Sequence, residues 1–260
     1  MDKTLRFKDC FQAENLFRIG ILTLASAPSL SSIFFLISIL SVKNLEVKFF
    51  EDKWNIPLII SSFFMIIGLV YLNTNVNSSI LKNNWDSNLS FLGLFNWIPF
   101  FWFFWKCQNF VKSAEQRRKC ALFFIVGTFP VLISGFGQFY FGWEGPLELF
   151  NGFIIWYQRP LKGISGMTGM FNNPNYTGAW LSFIIPFTLA SFQEDRKSIL
   201  IKASSFLNFS MVFLGLIITY SRSAWICSLI ALLFQNLDKK FIKFIKIFLI
   251  LLLFIIPIFF

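Results

Sequence analysis

The sequence predicts an all-α integral membrane protein, a single transmembrane domain over residues 1–260 with about eight or nine membrane-spanning helices. Of the 260 residues, 56% are hydrophobic and 14% are charged, whereas soluble domains carry about 25% charged residues. The mean hydropathy is +0.65. This composition argues against a soluble enzyme, a disordered tail and a disulfide scaffold.

The apolar stretches account for this number of spans. A helix needs about 20 predominantly apolar residues, with a range of roughly 17 to 25, to cross the hydrocarbon core of a bilayer. Candidate stretches lie at 16–42, 56–72, 90–105, 120–141, 176–192, 198–219, 222–234 and 241–260.

The distribution of Lys and Arg predicts the orientation, because basic loops stay on the cytoplasmic side. Basic residues are concentrated in three segments, 106–119, 193–202 and 236–246. The long segment 142–175 contains only Arg159 and Lys162 and is predicted to be external. Topology therefore explains the net charge of +10, and we predict no nucleic-acid partner.

The first apolar stretch conflicts with this rule. Basic residues flank 16–42 on both sides, so a single helix would place one basic flank outside. The stretch is either a helical hairpin bent at Pro28 or one span with an external N-terminus. Proline in a helix interior costs about 3 kcal/mol, which favours the hairpin.

The sequence lacks the residues that several common kinds of active site require. The sequence contains no His, and its four Cys form no C-x-x-C pair, so we predict no metal site and no cofactor. It has no P-loop and no D-x-D pair, so nucleotide-driven chemistry is not expected.

The external loop 142–175 supplies candidate ligand contacts in Glu144, Glu148, Arg159 and Lys162. Its Trp and Tyr residues equally suit the aromatic belt at a membrane interface.

Asn173, Asn175 and Tyr176 open the stretch that follows this loop. Asn is a good helix N-cap and Pro suits the first turn, so plain capping is one interpretation. The other is an anion site, because a helix N-terminus offers free N–H groups and partial positive charge.

Ser221 and Arg222 begin a short apolar stretch at the same external face. The 222–234 stretch would be about 20 Å long as a helix, shorter than the roughly 30 Å core, so Arg222 is expected near the lipid headgroups. The guanidinium either snorkels to the headgroups or binds a phosphate through two parallel hydrogen bonds. We favour the phosphate.

Two motifs carry a family resemblance. Residues 169–178 read G-M-F-N-N-P-N-Y-T-G, and residues 219–225, two stretches later, read T-Y-S-R-S-A-W. Their order and spacing resemble the O-antigen ligase and O-antigen polymerase superfamily of bacterial inner-membrane proteins, with the best match over residues 160–235. The position of Ser223 is usually Gly in that family.

The resemblance implies a multi-pass inner-membrane protein that acts as a metal-independent glycosyltransferase. It would transfer a glycan from undecaprenyl diphosphate on the periplasmic face, and Arg222 would contact the donor diphosphate. The family has a further periplasmic loop with a catalytic His, which this sequence lacks. We therefore expect a C-terminally truncated member, whose catalytic residues are not predicted.

Two other functions fit the sequence. A branch of the same superfamily has been linked to inorganic-carbon uptake, so a transporter is one alternative. Transporters typically have charged or broken helices near the middle of the membrane, and mid-span charges are nearly absent here. The other alternative is a non-catalytic membrane partner in polysaccharide assembly. The oligomeric state is not predicted.

Overall fold

The computed structural model describes residues 12–42, 48–74, 87–161, 166–193 and 198–236. Within these ranges the chain is mainly α-helical, as the all-α prediction requires, with short 3-10 helices at Lys53–Asn55 and Gln108–Val111 and one β-hairpin in the long connection between residues 141 and 174. The helices are α1 (Ala13–Thr23), α2 (Pro28–Ser41), α3 (Ile56–Thr74), α4 (Ser87–Cys107), α5 (Ala114–Phe141), α6 (Pro174–Gln193), α7 (Ile199–Ile218) and α8 (Arg222–Asn236). The predicted span at 241–260 lies outside the described residues.

The structure supports fewer membrane spans than the sequence predicts. Among the described residues, three segments are long and apolar enough to cross a membrane: Lys53–Thr74, Ala114–Phe141 and Ile199–Ile218. Eight or nine spans are therefore not supported. Helices α2 and α8 have 14 and 15 residues, about 21 and 23 Å, which is shorter than the core of a bilayer.

The first apolar stretch is a helical hairpin, which confirms the interpretation based on Pro28. Helix α1 ends at Thr23 and α2 begins at Pro28, where a missing N–H costs nothing. The Ser31 Oγ donates to the Gly20 carbonyl at 2.7 Å, and the Ser38 Oγ donates to the Ala13 carbonyl at 2.6 Å. Because Ser31 and Ser38 lie two turns apart, they bind one face of α2 to α1.

The described residues fall into two compact units rather than one. The first contains residues up to Arg18 together with Ile33–Cys120, and the second contains Ile19–Ser32 and the chain from Ala121 onward. In the first unit α3 packs against α4.

The second unit has the larger buried core. Helix α6 packs against both α7 and α8. The fully or almost fully buried side chains at its centre are Leu132, Met167, Leu181, Ile184, Ile185, Val212 and Leu216. Each comes from α5, α6, α7 or the loop before α6, so burial of this shared apolar surface holds these helices together.

Part of the segment predicted to be an external loop forms regular secondary structure. Residues Leu147–Leu149 and Ile154–Trp156 form an antiparallel hairpin, with Glu148 opposite Ile155. Phe150, Asn151 and Gly152 all have positive φ angles in its turn. The Trp156 indole donates to the Ser26 carbonyl at 2.7 Å, so the hairpin is bound to the turn between α1 and α2.

Candidate anion site at the start of two helices

The two segments that carry the predicted site meet in the structure. The Ser221 Oγ donates to the Asn175 Oδ1 at 2.9 Å, across 46 residues of sequence. Gly178 lies one turn into α6, where a Cβ would stand 2.8 Å from the Cβ atoms of both Ser221 and Ala224. Only a residue without a side chain allows α6 and α8 to approach this closely. We call the region around Asn173, Asn175, Gly178, Ser221 and Arg222 the α6–α8 junction.

The start of α6 is fully capped. The Asn173 Oδ1 accepts from the Asn175 N–H at 2.8 Å, and the Asn173 carbonyl accepts from the Tyr176 N–H at 3.1 Å. Pro174, between them, has no N–H. The start of α6 therefore has the plain capping arrangement, and these N–H groups are not free for an anion. The Tyr176 side chain is exposed.

The start of α8 is open by comparison. The Ser221 carbonyl accepts the first helical bond, from the Trp225 N–H at 3.1 Å, whereas its buried hydroxyl is committed to Asn175. Among the described residues, no acceptor meets the N–H groups of Arg222, Ser223 and Ala224. The positive end of the helix dipole is therefore uncompensated at α8.

Arg222 adds a full positive charge at the same point. It is the first residue of α8 and is exposed. No hydrogen bond or ion pair engages its guanidinium within the part of the chain that the structure describes. An unpaired guanidinium beside uncapped N–H groups is an arrangement that suits a phosphate oxyanion.

Gln138 holds the loop in front of the junction. Its Nε2 donates to the Thr168 Oγ1 at 2.8 Å and to the Arg159 carbonyl. Its Oε1 accepts from the N–H groups of Thr168 and Gly169 at 2.9 and 3.0 Å. The Thr168 carbonyl then accepts from the Thr177 hydroxyl on α6. The buried amide of Gln138 thus connects the end of α5 to Arg159 and Thr168, and Thr168 in turn connects to the first turn of α6.

Replacing Gln138 with leucine is expected to destabilise the protein strongly. The buried N–H groups of Thr168 and Gly169 would lose their acceptor, and each unsatisfied group costs about 1–3 kcal/mol. Gln158 is a matched control, because its side chain is equally buried but donates a single hydrogen bond, to the Ser134 carbonyl at 3.0 Å, and accepts none from a described backbone N–H group. Thermal unfolding of the detergent-purified protein should show a much larger decrease for Gln138→Leu than for Gln158→Leu. Equal decreases would contradict this role.

Of the described ligand contacts predicted in the 142–175 segment, the structure connects only Arg159 to the Gln138 network, through its backbone. Arg159 is exposed, and its backbone is fixed by Gln138 and Thr168. Glu144 and Glu148 are exposed before and on the hairpin, and among the described residues no hydrogen bond or ion pair connects either of them to the junction. Lys162 lies outside the described residues.

Two residues of this region are not predicted from the sequence, Gln138 and Gly166. Gln138 is a polar residue near the end of a long apolar helix, and this position could have identified it. Gly166 gives no such signal. A Cβ on Gly166 would lie 1.8 Å from the Thr219 carbonyl oxygen, and this contact joins segments that are distant in sequence.

Other site types are not visible in this part of the molecule. No group of three or more His, Cys, Asp or Glu residues that could hold a metal ion occurs among the described residues. Comparisons with models of protein families, with characterised proteins and with solved structures found no match.

Proposed function

We propose that the α6–α8 junction binds the diphosphate of a lipid-linked glycan, in the manner of the O-antigen ligase and polymerase superfamily. The protein would lie in a bacterial inner membrane as a multi-pass protein, with the junction on the periplasmic face. The observation that supports this most is the Ser221–Asn175 hydrogen bond, because it joins the two motifs of the resemblance. Arg222 follows directly, and no side chain among the described residues binds its guanidinium.

The surface of α8 suits the lipid part of such a ligand. Ile226, Leu229, Ile230 and Leu233 are all exposed. They follow Arg222 at helical spacing and so form one apolar stripe that begins at the guanidinium. An amphiphile could place its anionic head at Arg222 and its hydrocarbon chain along the stripe. A soluble nucleotide or sugar phosphate has no hydrocarbon chain to bind there.

Transfer of the glycan would use the same junction. If the protein is active, it would be a metal-independent glycosyltransferase in which the junction holds the leaving diphosphate. The sequence offers no His as general base. Among the exposed carboxylates of the external loop, Glu144 and Glu148 are the residues to test first for that role.

The geometry of the helices supports a transporter less than it supports a lipid-diphosphate site. Pro99, Pro130 and Pro186 lie within α4, α5 and α6, yet each of these helices is continuous. Transporter sites are typically formed by discontinuous helices near the middle of the membrane. The described helices contain no such break.

A series of lipids tests the proposed ligand. Binding of undecaprenyl diphosphate, undecaprenyl monophosphate and undecaprenol would be measured with the full chain in detergent micelles. The three share one tail, so differences report the head group. Affinity should decrease in that order, because each phosphate removed loses charge-assisted contacts. Equal affinities would mean that the protein recognises only the tail.

The predicted orientation can be tested by labelling. In a variant without native cysteines, single cysteines at Glu115 and Phe150 occupy exposed positions on the predicted cytoplasmic and periplasmic sides. An impermeant thiol reagent applied to intact cells should label position 150 and not position 115, and both should react after permeabilisation. Labelling of position 115 alone would show that the protein has the opposite orientation in the membrane.

A further inference from the structure

A groove lies in the first unit, whereas the α6–α8 junction belongs to the second. The groove has a volume of about 590 Å³ between α3, α4 and the segment that precedes α3, within the roughly 300–1,000 Å³ of typical ligand sites. Most of its lining is aromatic or aliphatic, including Phe49, Ile59, Ile98, Phe101, Trp102 and Trp105.

Polar bonds outside the groove fix its wall. The Asn55 side chain is 1% exposed and its Nδ2 donates to the Phe49 carbonyl at 2.9 Å. The Asp52 Oδ1 accepts from the Trp54 N–H at 3.0 Å and caps the turn. The Phe49 ring then stands edge-on to Trp105, with centroids 5.5 Å apart. The segment is therefore held as a wall and does not collapse into the groove.

The lining selects an apolar chain with a negative end. The Ser62 hydroxyl is already used, because it donates to the Leu58 carbonyl at 2.8 Å. Lys48 is the charged residue of the lining, and its side chain is 84% exposed. Its 3.4 Å contact with Glu51 is an exposed pair, which holds the ammonium group only weakly.

The surroundings of the groove identify the source of that chain. Helix α3 belongs to a segment that could cross a membrane, and it presents exposed Phe63, Phe64, Ile67 and Val70 side chains. Large exposed apolar surfaces of this kind are stable in hydrocarbon. In a bilayer, the acyl chains of lipids would therefore be the apolar groups next to the mouth of the groove.

We propose that this groove binds one phospholipid, with an acyl chain against Trp102 and Trp105 and the headgroup phosphate at Lys48. The inference is independent of the function proposed for the junction. The lipid would fill an aromatic cleft that the described side chains of the first unit leave open.

Two adjacent serines give a matched test. Ser61 and Ser62 both donate to a carbonyl four residues earlier, at 2.8 Å, but only Ser62 lines the groove. Native mass spectrometry of the detergent-purified full chain, titrated with phosphatidylglycerol, should show one tightly retained lipid. Ser62→Phe should weaken retention about tenfold or more by displacing methylenes, and Ser61→Phe should not. Equal retention by the two variants would overturn the proposal.

A second measurement keeps the proposal testable if Ser62→Phe does not fold. Phosphatidylglycerol with a brominated chain, added at equimolar amounts, should quench tryptophan fluorescence to saturation. Trp102→Phe should reduce this quenching, whereas Trp97→Phe, on the same helix but outside the groove, should not. Unchanged quenching in Trp102→Phe would place the lipid elsewhere.

The headgroup contact has its own control. Lys48→Gln should weaken retention of phosphatidylglycerol about threefold and leave uncharged diacylglycerol unaffected. Lys53→Gln changes a nearby lysine that does not line the groove and should have no effect. If Ser62→Phe instead dissociates a dimer without changing lipid retention, the groove is covered by a second copy and the lipid proposal is wrong.

Discussion

Valine at position 178 is expected to separate α6 from α8 and to abolish binding of a lipid diphosphate. A Cβ at this position would already lie 2.8 Å from the Cβ atoms of Ser221 and Ala224. Ala224 lies in the first turn of α8 and Ser221 directly precedes the helix, so neither Cβ can move without the backbone at the start of α8. Overpacking of this kind typically costs 1–3 kcal/mol, and the displacement would also break the Ser221–Asn175 hydrogen bond.

The measurement is thermal unfolding of the detergent-purified protein together with binding of undecaprenyl diphosphate. We expect Gly178→Val to lower the unfolding temperature by about 5 °C or more and to remove detectable binding. Gly68 is the control, because it is a helical glycine with nothing within 4 Å of a Cβ. If Gly68→Val and Gly178→Val lower the unfolding temperature equally, the close approach of α6 and α8 is not important.

Hydropathy predicted the helices of the second unit well. Helices α6, α7 and α8 begin and end within about two residues of the apolar stretches, because a long apolar run reports the local composition that a buried or membrane helix requires. The same reasoning overestimated the spans. Hydropathy alone cannot show that the apolar stretch 16–42 is divided, whereas the structure breaks it into two helices, α1 and α2, of 11 and 14 residues.

The site was predicted in part. Asn175 and Ser221 were recognised as separate helix starts, and the structure brings them within hydrogen-bonding distance. Gln138 and Gly166 were missed, because their partners are backbone groups distant in sequence. The β-hairpin was also missed, since its strands have three residues each and give too short an alternation to detect.

Arg222→Lys separates the two interpretations of the Arg222 side chain. If the side chain only snorkels to the headgroups, lysine should serve equally well, because both are long cations. If it holds a phosphate through two parallel hydrogen bonds, lysine cannot reproduce the planar geometry. A hydrogen bond to a charged group contributes about 1.5–3 kcal/mol, so affinity should decrease roughly tenfold or more.

The most direct test is the affinity of undecaprenyl diphosphate for the wild type, Arg222→Lys and Arg118→Lys, measured on the full chain in the same detergent. Arg118 is an exposed arginine at the predicted cytoplasmic end of α5, so its replacement controls for any general effect of exchanging arginine for lysine. We predict a decrease of roughly tenfold or more for Arg222→Lys and none for Arg118→Lys. Equal affinities for all three proteins would contradict the account, because Arg222 would then be a headgroup anchor and the junction would have no specific phosphate ligand.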